Sequence, residues 1–440
     1  MKDLTKGSIL KPMIMFSLPI LLGSVFQQAY NLIDIIIVGK KLGELSLSAV
    51  GATASVVSLL FNIINGLCTG FAIPVSRYYG SGDYDKMRNA IAGMISFSAV
   101  AAAILSAACL IFINPLLALL NTPEEIFAEA GTYLTIIASG LIVTLIYNLE
   151  ANILRAVGDS VVPLIILIIS AVLNVLLDLL FIFAFQMGVE GAALATVIAQ
   201  LISAVICFIY LIKKCPFLKL RSKDFRFKNS GVGLLLSSGL GMALMYSIVD
   251  IGSIVLQNGI NGLGTEIISA HTASRKIFSF TIMPFSAISA TLVTFVSQNL
   301  GAGRADRIKK GIKYGLLIGF AWSTIAVALI YLFGEYLVLM IAPADNRFII
   351  DTAVNYLRIN VPFYYALTVL LSLRCSLQGL GKSAVPITAS IIEMAWKIVT
   401  VVCIIPVCGY FGVCISEPII WVASGLLVTI IAIKTLKKTV

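Results

Sequence analysis

Long apolar runs, broken by short polar clusters, set the rhythm of this chain from one end to the other. A helix needs about 20 predominantly apolar residues to cross ~30 Å of hydrocarbon. Twelve such stretches are predicted, at about 14–39, 47–76, 90–113, 132–155, 163–183, 190–212, 233–259, 267–296, 312–333, 353–376, 384–406 and 411–433. The pattern predicts an all-α polytopic membrane protein. Within the fifth stretch, Asn174 and Asp178 stand four residues apart, on one helical face among leucines and isoleucines. A carboxylate at mid-bilayer costs at least ~2.5 kcal/mol, so such a residue normally faces the bundle interior and marks an ion or substrate path. The plainer alternative is an Asp178 close enough to the helix end to be wetted at the interface.

Composition removes the soluble classes. Charged residues make up 12% of the chain, hydrophobic ones 59%, and the mean hydropathy is +1.03. The net charge of +10 would suit nucleic acid, but its placement argues against that partner. Of the 31 Lys and Arg, 24 fall on alternate connections and tails, whereas the other side has only Lys40, Lys41 and Arg347. By the positive-inside rule both termini are cytoplasmic, and the expected location is the cell inner membrane, multi-pass. No removable signal peptide is expected at Met1–Gly7. The eight cysteines lie mostly inside apolar runs without metal spacing and are predicted to be packing residues.

The chain repeats itself. Gly80–Ile91 matches Gly301–Ile312 at an offset of 221. Leu154-Arg-Ala-Val-Gly-Asp-Ser-Val-Val-Pro163 matches Leu377-Gln-Gly-Leu-Gly-Lys-Ser-Ala-Val-Pro386 at 223, which Tyr133-Leu134 and Tyr356-Leu357 keep. Twelve transmembrane helices in two pseudo-symmetric six-helix lobes follow, with lobes at 1–212 and 233–440 and a basic cytoplasmic linker at 213–232. Paired halves of this kind suit a transporter that rocks about a central site. The second half puts Glu393 and Lys397 where the first has Ser170 and Asn174. Their order at i and i+4 permits a structural ion pair.

Other polar residues in the runs invite function or packing equally. Pro19 interrupts the first helix as a hinge or a static kink. Thr196 supplies a hydroxyl that either coordinates a hard cation or bonds its own backbone. Gln27, Tyr30, Asn31, Tyr147, Met245 and Met283 are candidate substrate contacts, because aromatic and Met surfaces adapt to varied hydrophobic cations. Asp250 is a further second-lobe candidate.

The Gly-x-Gly-Asp turn after the second helix, the two Leu-x-x-x-Gly-x-Ser-x-x-Pro turns and Gln298-Asn-Leu-Gly-Ala-Gly303 resemble the multidrug and toxic compound extrusion (MATE) family over essentially the whole chain. The resemblance implies two six-helix lobes forming a V, a central drug cavity, and exchange of organic cations for H⁺ or Na⁺. It also implies a coupling site on Asp34, Asn174, Asp178 and Thr196, and a first helix that bends at Pro19. Asp250, Glu150 and His271 depart from the family pattern, and the second-lobe acid of another branch is not clearly present.

The expected protein is therefore a cation-coupled antiporter that exports organic cations by alternating access, working as a monomer in the lipid bilayer. No nucleic-acid partner, cofactor or metal is expected apart from Na⁺ at the four coupling residues. Neutralising the carboxylates with either ion would let the first helix bend and expel drug. The runner-up is a flippase for a lipid-linked sugar, for which Arg155, Arg275, Lys276 and Arg374 would meet a pyrophosphate. Enzymatic chemistry is not expected, because a single histidine and no clustered metal motif leave little to build it from.

Overall fold

The computed structural model describes residues 3–225, 231–341 and 346–439. Apolar sequence without backbone-breaking residues folds here into helices, the form in which a segment satisfies its own backbone groups in lipid. In chain order they are α1 (Leu10–Leu42), α2 (Glu44–Ser81), α3 (Tyr84–Ile111), α4 (Ile113–Leu119), α5 (Glu124–Ser139), α6 (Leu141–Ala156), α7 (Val161–Asp178) and α8 (Val189–Lys214). Then follow α9 (Val232–Asn261), α10 (Thr265–Gly301), α11 (Ala305–Leu339), α12 (Arg347–Asn360), α13 (Tyr364–Gly379), α14 (Ala384–Val399), α15 (Ile405–Cys408) and α16 (Tyr410–Thr439).

Among the described residues, 10 helices are long and apolar enough to cross a membrane, or 11 when the pair α5 and α6, bent by 45°, counts as one span. The span expected at 353–376 is delivered in two pieces. A 3₁₀ turn, Val361–Phe363, separates α12 and α13, helices of 14 and 16 residues, because Pro362 cannot supply the helix its N–H. Either piece alone is shorter than a bilayer crossing.

The duplication seen in the sequence is visible in the backbone. Gly82 and Gly303 take positive φ of 73° and 67°, and Gly158 and Gly381 take 87° and 80°. After α6, Gly158 N–H donates to the carbonyl of Arg155 and Asp159 N–H to that of Leu154; after α13, Gly381 and Lys382 donate in the same way to Gln378 and Leu377. Left-handed backbone at these helix ends suits glycine and closes otherwise orphaned carbonyls. A further repeated feature could not be foreseen. A π-helical turn, Leu179–Ala184, follows α7, and another, Thr400–Ile404, follows α14.

Two compact units share the chain, one of residues 1–3 and 22–243, the other of 4–21 and 244–440. This division does not fall at the basic linker. In the first unit, Gly70 of α2 approaches the backbone of α9 so closely that an added Cβ would stand 2.2 Å from the Ser238 carbonyl oxygen. That contact ties the start of α9 to the first unit. In the second unit, Arg307 donates to the carbonyls of Leu4 (3.0 Å), Lys6 (3.2 Å) and Gly7 (2.7 Å), and Nε donates to Asn299 Oδ1 at 3.0 Å. Those bonds hold the chain start to α10 and α11.

Part of the basic segment is folded too. Arg88 donates to the Phe217 carbonyl at 3.3 Å and lies 3.8 Å from Asp224, while Phe217 packs on Tyr79 and Tyr84. Arg226 and Lys228 of the expected linker lie outside the described residues. All eight cysteines are free; Cys403 and Cys408 are exposed, so packing does not account for those two.

Asp83 caps α3. Its carboxylate accepts from Lys86 N–H at 3.0 Å and pairs with the Lys86 ammonium at 2.8 Å. Those bonds hold the Asp83 carboxyl below the ordinary 3.8. A carboxylate favoured in the fold contributes fully above the ordinary value, and the contribution fades as pH falls through the lower folded value. Asp83→Ala should therefore lower stability near neutral pH by up to about 1 kcal/mol. In thermal unfolding of the purified protein, the gap from wild type should close in acid.

Candidate functional site

In the first unit α7 buries Asn174 and Asp178, and the half-buried Asp34 of α1 and Thr196 of α8 stand toward them. Asp178 closes the last turn of α7 immediately before the π turn and is fully buried. A π turn re-aims the backbone at such a point, and these turns occur frequently at functional sites. The Asp34 carboxyl comes from α1 to within hydrogen-bonding reach of Asp178. Among the described residues, Asp34 Oδ1 and both Asp178 oxygens have no hydrogen-bond partner. Carboxylates facing each other without a donor repel, and the buried Asp178 forfeits its hydration as well. The pair therefore calls for a shared proton or a cation.

One turn back on α7, buried Asn174 reaches across to α8, its Nδ2 lying 3.5 Å from Thr196 Oγ1. Thr196 itself donates to the Ala192 carbonyl at 3.1 Å, so its hydroxyl serves the backbone and faces Asn174 at once. The structure thus brings Asp34 to Asp178 and Asn174 to Thr196. Tyr30 lies beside Gln27 on α1 and within electrostatic reach of Asp34. Tyr133 of α5 lies within electrostatic reach of both carboxyls. The sequence signalled Tyr133 only as a repeated position.

The remaining expected residues scatter. Gln27 and Asn31 are exposed, and Tyr147 is half-buried. Met245 and Met283 are buried, at 3% and 5% exposure, and Met245 Sδ accepts from Gln378 Nε2 at 3.1 Å. Pro19 lies inside α1 without ending it, and belongs to the second unit. Asp250 is partly buried near Tyr246. Glu150, buried on α6, lies against the Cys207 thiol. His271 is buried on α10, with Nδ1 3.0 Å from the Tyr410 hydroxyl.

The second unit uses equivalent positions for different chemistry. Lys397 Nζ lies 3.0 Å from Glu393 Oε1, the pair that their spacing allows, and 3.3 Å from Ser253 Oγ. Glu417 of α16 joins them, 3.7 Å from Lys397 and 4.0 Å from Arg275 Nη1. Sequence reasoning passed over Glu417. Its one signal was an acid inside an apolar run, at Ser416-Glu417-Pro418. The helix starts Gly188-Val189 and Gly409-Tyr410 correspond, so Glu417 stands where Thr196 does, and Lys397 stands where Asn174 does. An amide–hydroxyl contact in one unit is an ammonium–carboxylate contact in the other.

A duplicated, all-helical membrane protein with a buried acid pair in its first half belongs to the class of two-lobed transporters. The MatE family profile matches residues 19–180 and 239–403, and the chain belongs to this MATE family. It is 29% identical to "Probable multidrug resistance protein YpnP" of Bacillus subtilis over 76% of this chain and 75% of that one. It is 26% identical to "FAD transporter" of Shewanella oneidensis over 74% and 73%. In fold it resembles a MOP superfamily transporter from Pyrococcus furiosus, with a TM-score of 0.91 at 21% identity over 99% of this chain and 98% of that one.

Lys397 pairs with two carboxylates, half-buried Glu393 and buried Glu417. Lys397→Met should destabilise the protein by about 3–5 kcal/mol, the usual cost of leaving buried charge unpaired. Adding Glu393→Gln should recover part of the loss in thermal unfolding. A single variant as stable as wild type would contradict this reading of the cluster.

Proposed function

We propose that this MATE protein exports small organic molecules, organic cations among them, across the cell membrane in exchange for H⁺ or Na⁺ bound at the Asp34–Asp178 pair. The observation that carries the reading is the pair itself, a fully buried and a half-buried carboxyl whose inward-facing atoms have no hydrogen-bond donor among the described residues. Either ion removes the repulsion. A proton bridges the two acids, and Na⁺ finds hard oxygen ligands in them, with the Asn174 carbonyl and Thr196 hydroxyl near at hand. A drug that disfavours the ion-loaded form is in turn disfavoured by the ion, through the same coupling free energy. Pro19 is the proposed bending point of α1.

The multidrug name of the Bacillus relative supports drugs as cargo, and the name of the Shewanella relative adds a nucleotide-sized anion to the range. Cytoplasmic termini and a monomeric state complete the proposal.

The test uses the full chain in liposomes, following efflux of a fluorescent organic cation under a proton gradient and, separately, a sodium gradient. One gradient should drive efflux, and Asp34→Asn and Asp178→Asn should each abolish it. Coupled efflux that persists in both variants would overturn the assignment. No efflux under either gradient would favour the lipid-linked sugar flippase.

A further inference from the structure

The charged cluster of the second unit balances its buried charges and leaves one cation accessible. Lys397 is the inner member, 2% exposed at its side chain, and it is held by Glu393 at 3.0 Å. Glu417, 10% exposed, lies between Lys397 and Arg275. Arg275 differs from both. It sits deep among protein atoms, yet its side chain keeps 39% exposure.

Its one carboxylate contact is a single prong at 4.0 Å, the outer limit of ion pairing. A guanidinium offers five N–H donors in a planar fork that fits a carboxylate or phosphate with two parallel bonds. Glu417 does not engage the fork in that way. Tyr356 of α12 lies beside it, and the Phe278 ring lies 4.6 Å from its Cζ. Phe278 is itself clamped, stacking on Trp421 at 6.1 Å with Tyr364 edge-on at 6.2 Å. A guanidinium seated on a fixed aromatic face loses little freedom on binding a planar anion.

We propose that Arg275 is the residue of this chain that binds the carboxylate or phosphate group of an anionic or amphoteric cargo. Anion binding would replace the long Glu417 contact with a bidentate one. The carboxylate released from that contact stays paired with Lys397. This deepens the export reading, and rests on it for the assignment of the solute as cargo.

The test compares flavin mononucleotide with riboflavin, which shares its ring system and lacks the phosphate. Binding to the full chain in phosphatidylcholine nanodiscs is read from flavin fluorescence anisotropy, with no ion gradient. The mononucleotide should bind at least about tenfold more tightly, the range of a charge-assisted contact. Arg275→Gln should bring the two flavins to parity by weakening the mononucleotide alone. Arg275→Lys, which keeps the charge and loses the fork, should retain part of the preference if the glutamine variant fails to fold. Arg358→Gln, a control beside Tyr331, should keep all of it.

Equal binding of the two flavins to wild type, or a preference that survives Arg275→Gln, would overturn the site. Repeating the titration with phosphatidylglycerol in the discs identifies the source of the anion. Loss of mononucleotide binding there, dependent on Arg275, would assign the site to a lipid phosphate and overturn the solute reading. Because no gradient is involved, failure of the efflux test leaves this result standing, and failure here leaves the efflux test standing.

Discussion

Two carboxyls that face each other inside a helical unit, Asp178 buried and Asp34 half-buried, with no donor among the described residues to separate them, are the constraint on which the rest depends. Carboxylates alone cannot satisfy such a site, because each pays for lost hydration and repels the other. A cation or proton must enter the balance, and anything that moves it becomes linked to the shape of the unit around it. On the proposed reading, the transport cycle uses that linkage, with α1 carrying Asp34 and bending at Pro19.

The duplication shows how one scaffold serves two chemistries. Paired glycine turns at 82 and 303 and at 158 and 381, and π turns after α7 and α14, keep the backbone plan the same in both halves. The side chains at matched positions then diverge. Asn174 and Thr196 form a neutral polar face next to an uncompensated acid pair, whereas Lys397 and Glu417 compensate each other. Even the repeated tyrosines follow this division: Tyr133 lies near the two carboxyls, and Tyr356 lies beside Arg275. On the proposed reading the first unit takes up a proton or a cation, while the second carries its own.

Much of this was legible in the sequence because it is local. Helices, turn glycines, the repeat and the Glu393–Lys397 pair all follow from spacing along the chain. What lies across helices was not legible. Glu417 is far in sequence from Lys397, and nothing at Ser416-Glu417-Pro418 says which helix it faces. Met245 and Met283 read alike as cavity surface and as core from the sequence, and only the structure shows that both are buried. The break at Val361–Phe363 and the division of α1 between the two units likewise depend on tertiary packing that overrides an apolar run.

The central claim is that Asp34 and Asp178 share a proton or a cation. Difference infrared spectroscopy on the purified protein tests this directly, following the carbonyl band of a protonated carboxyl. The account predicts a band that appears on acidification, is removed by any Na⁺ that binds at the pair, and is lost in both Asp34→Asn and Asp178→Asn. A spectrum in which no protonation band and no Na⁺ response depends on either residue would contradict it.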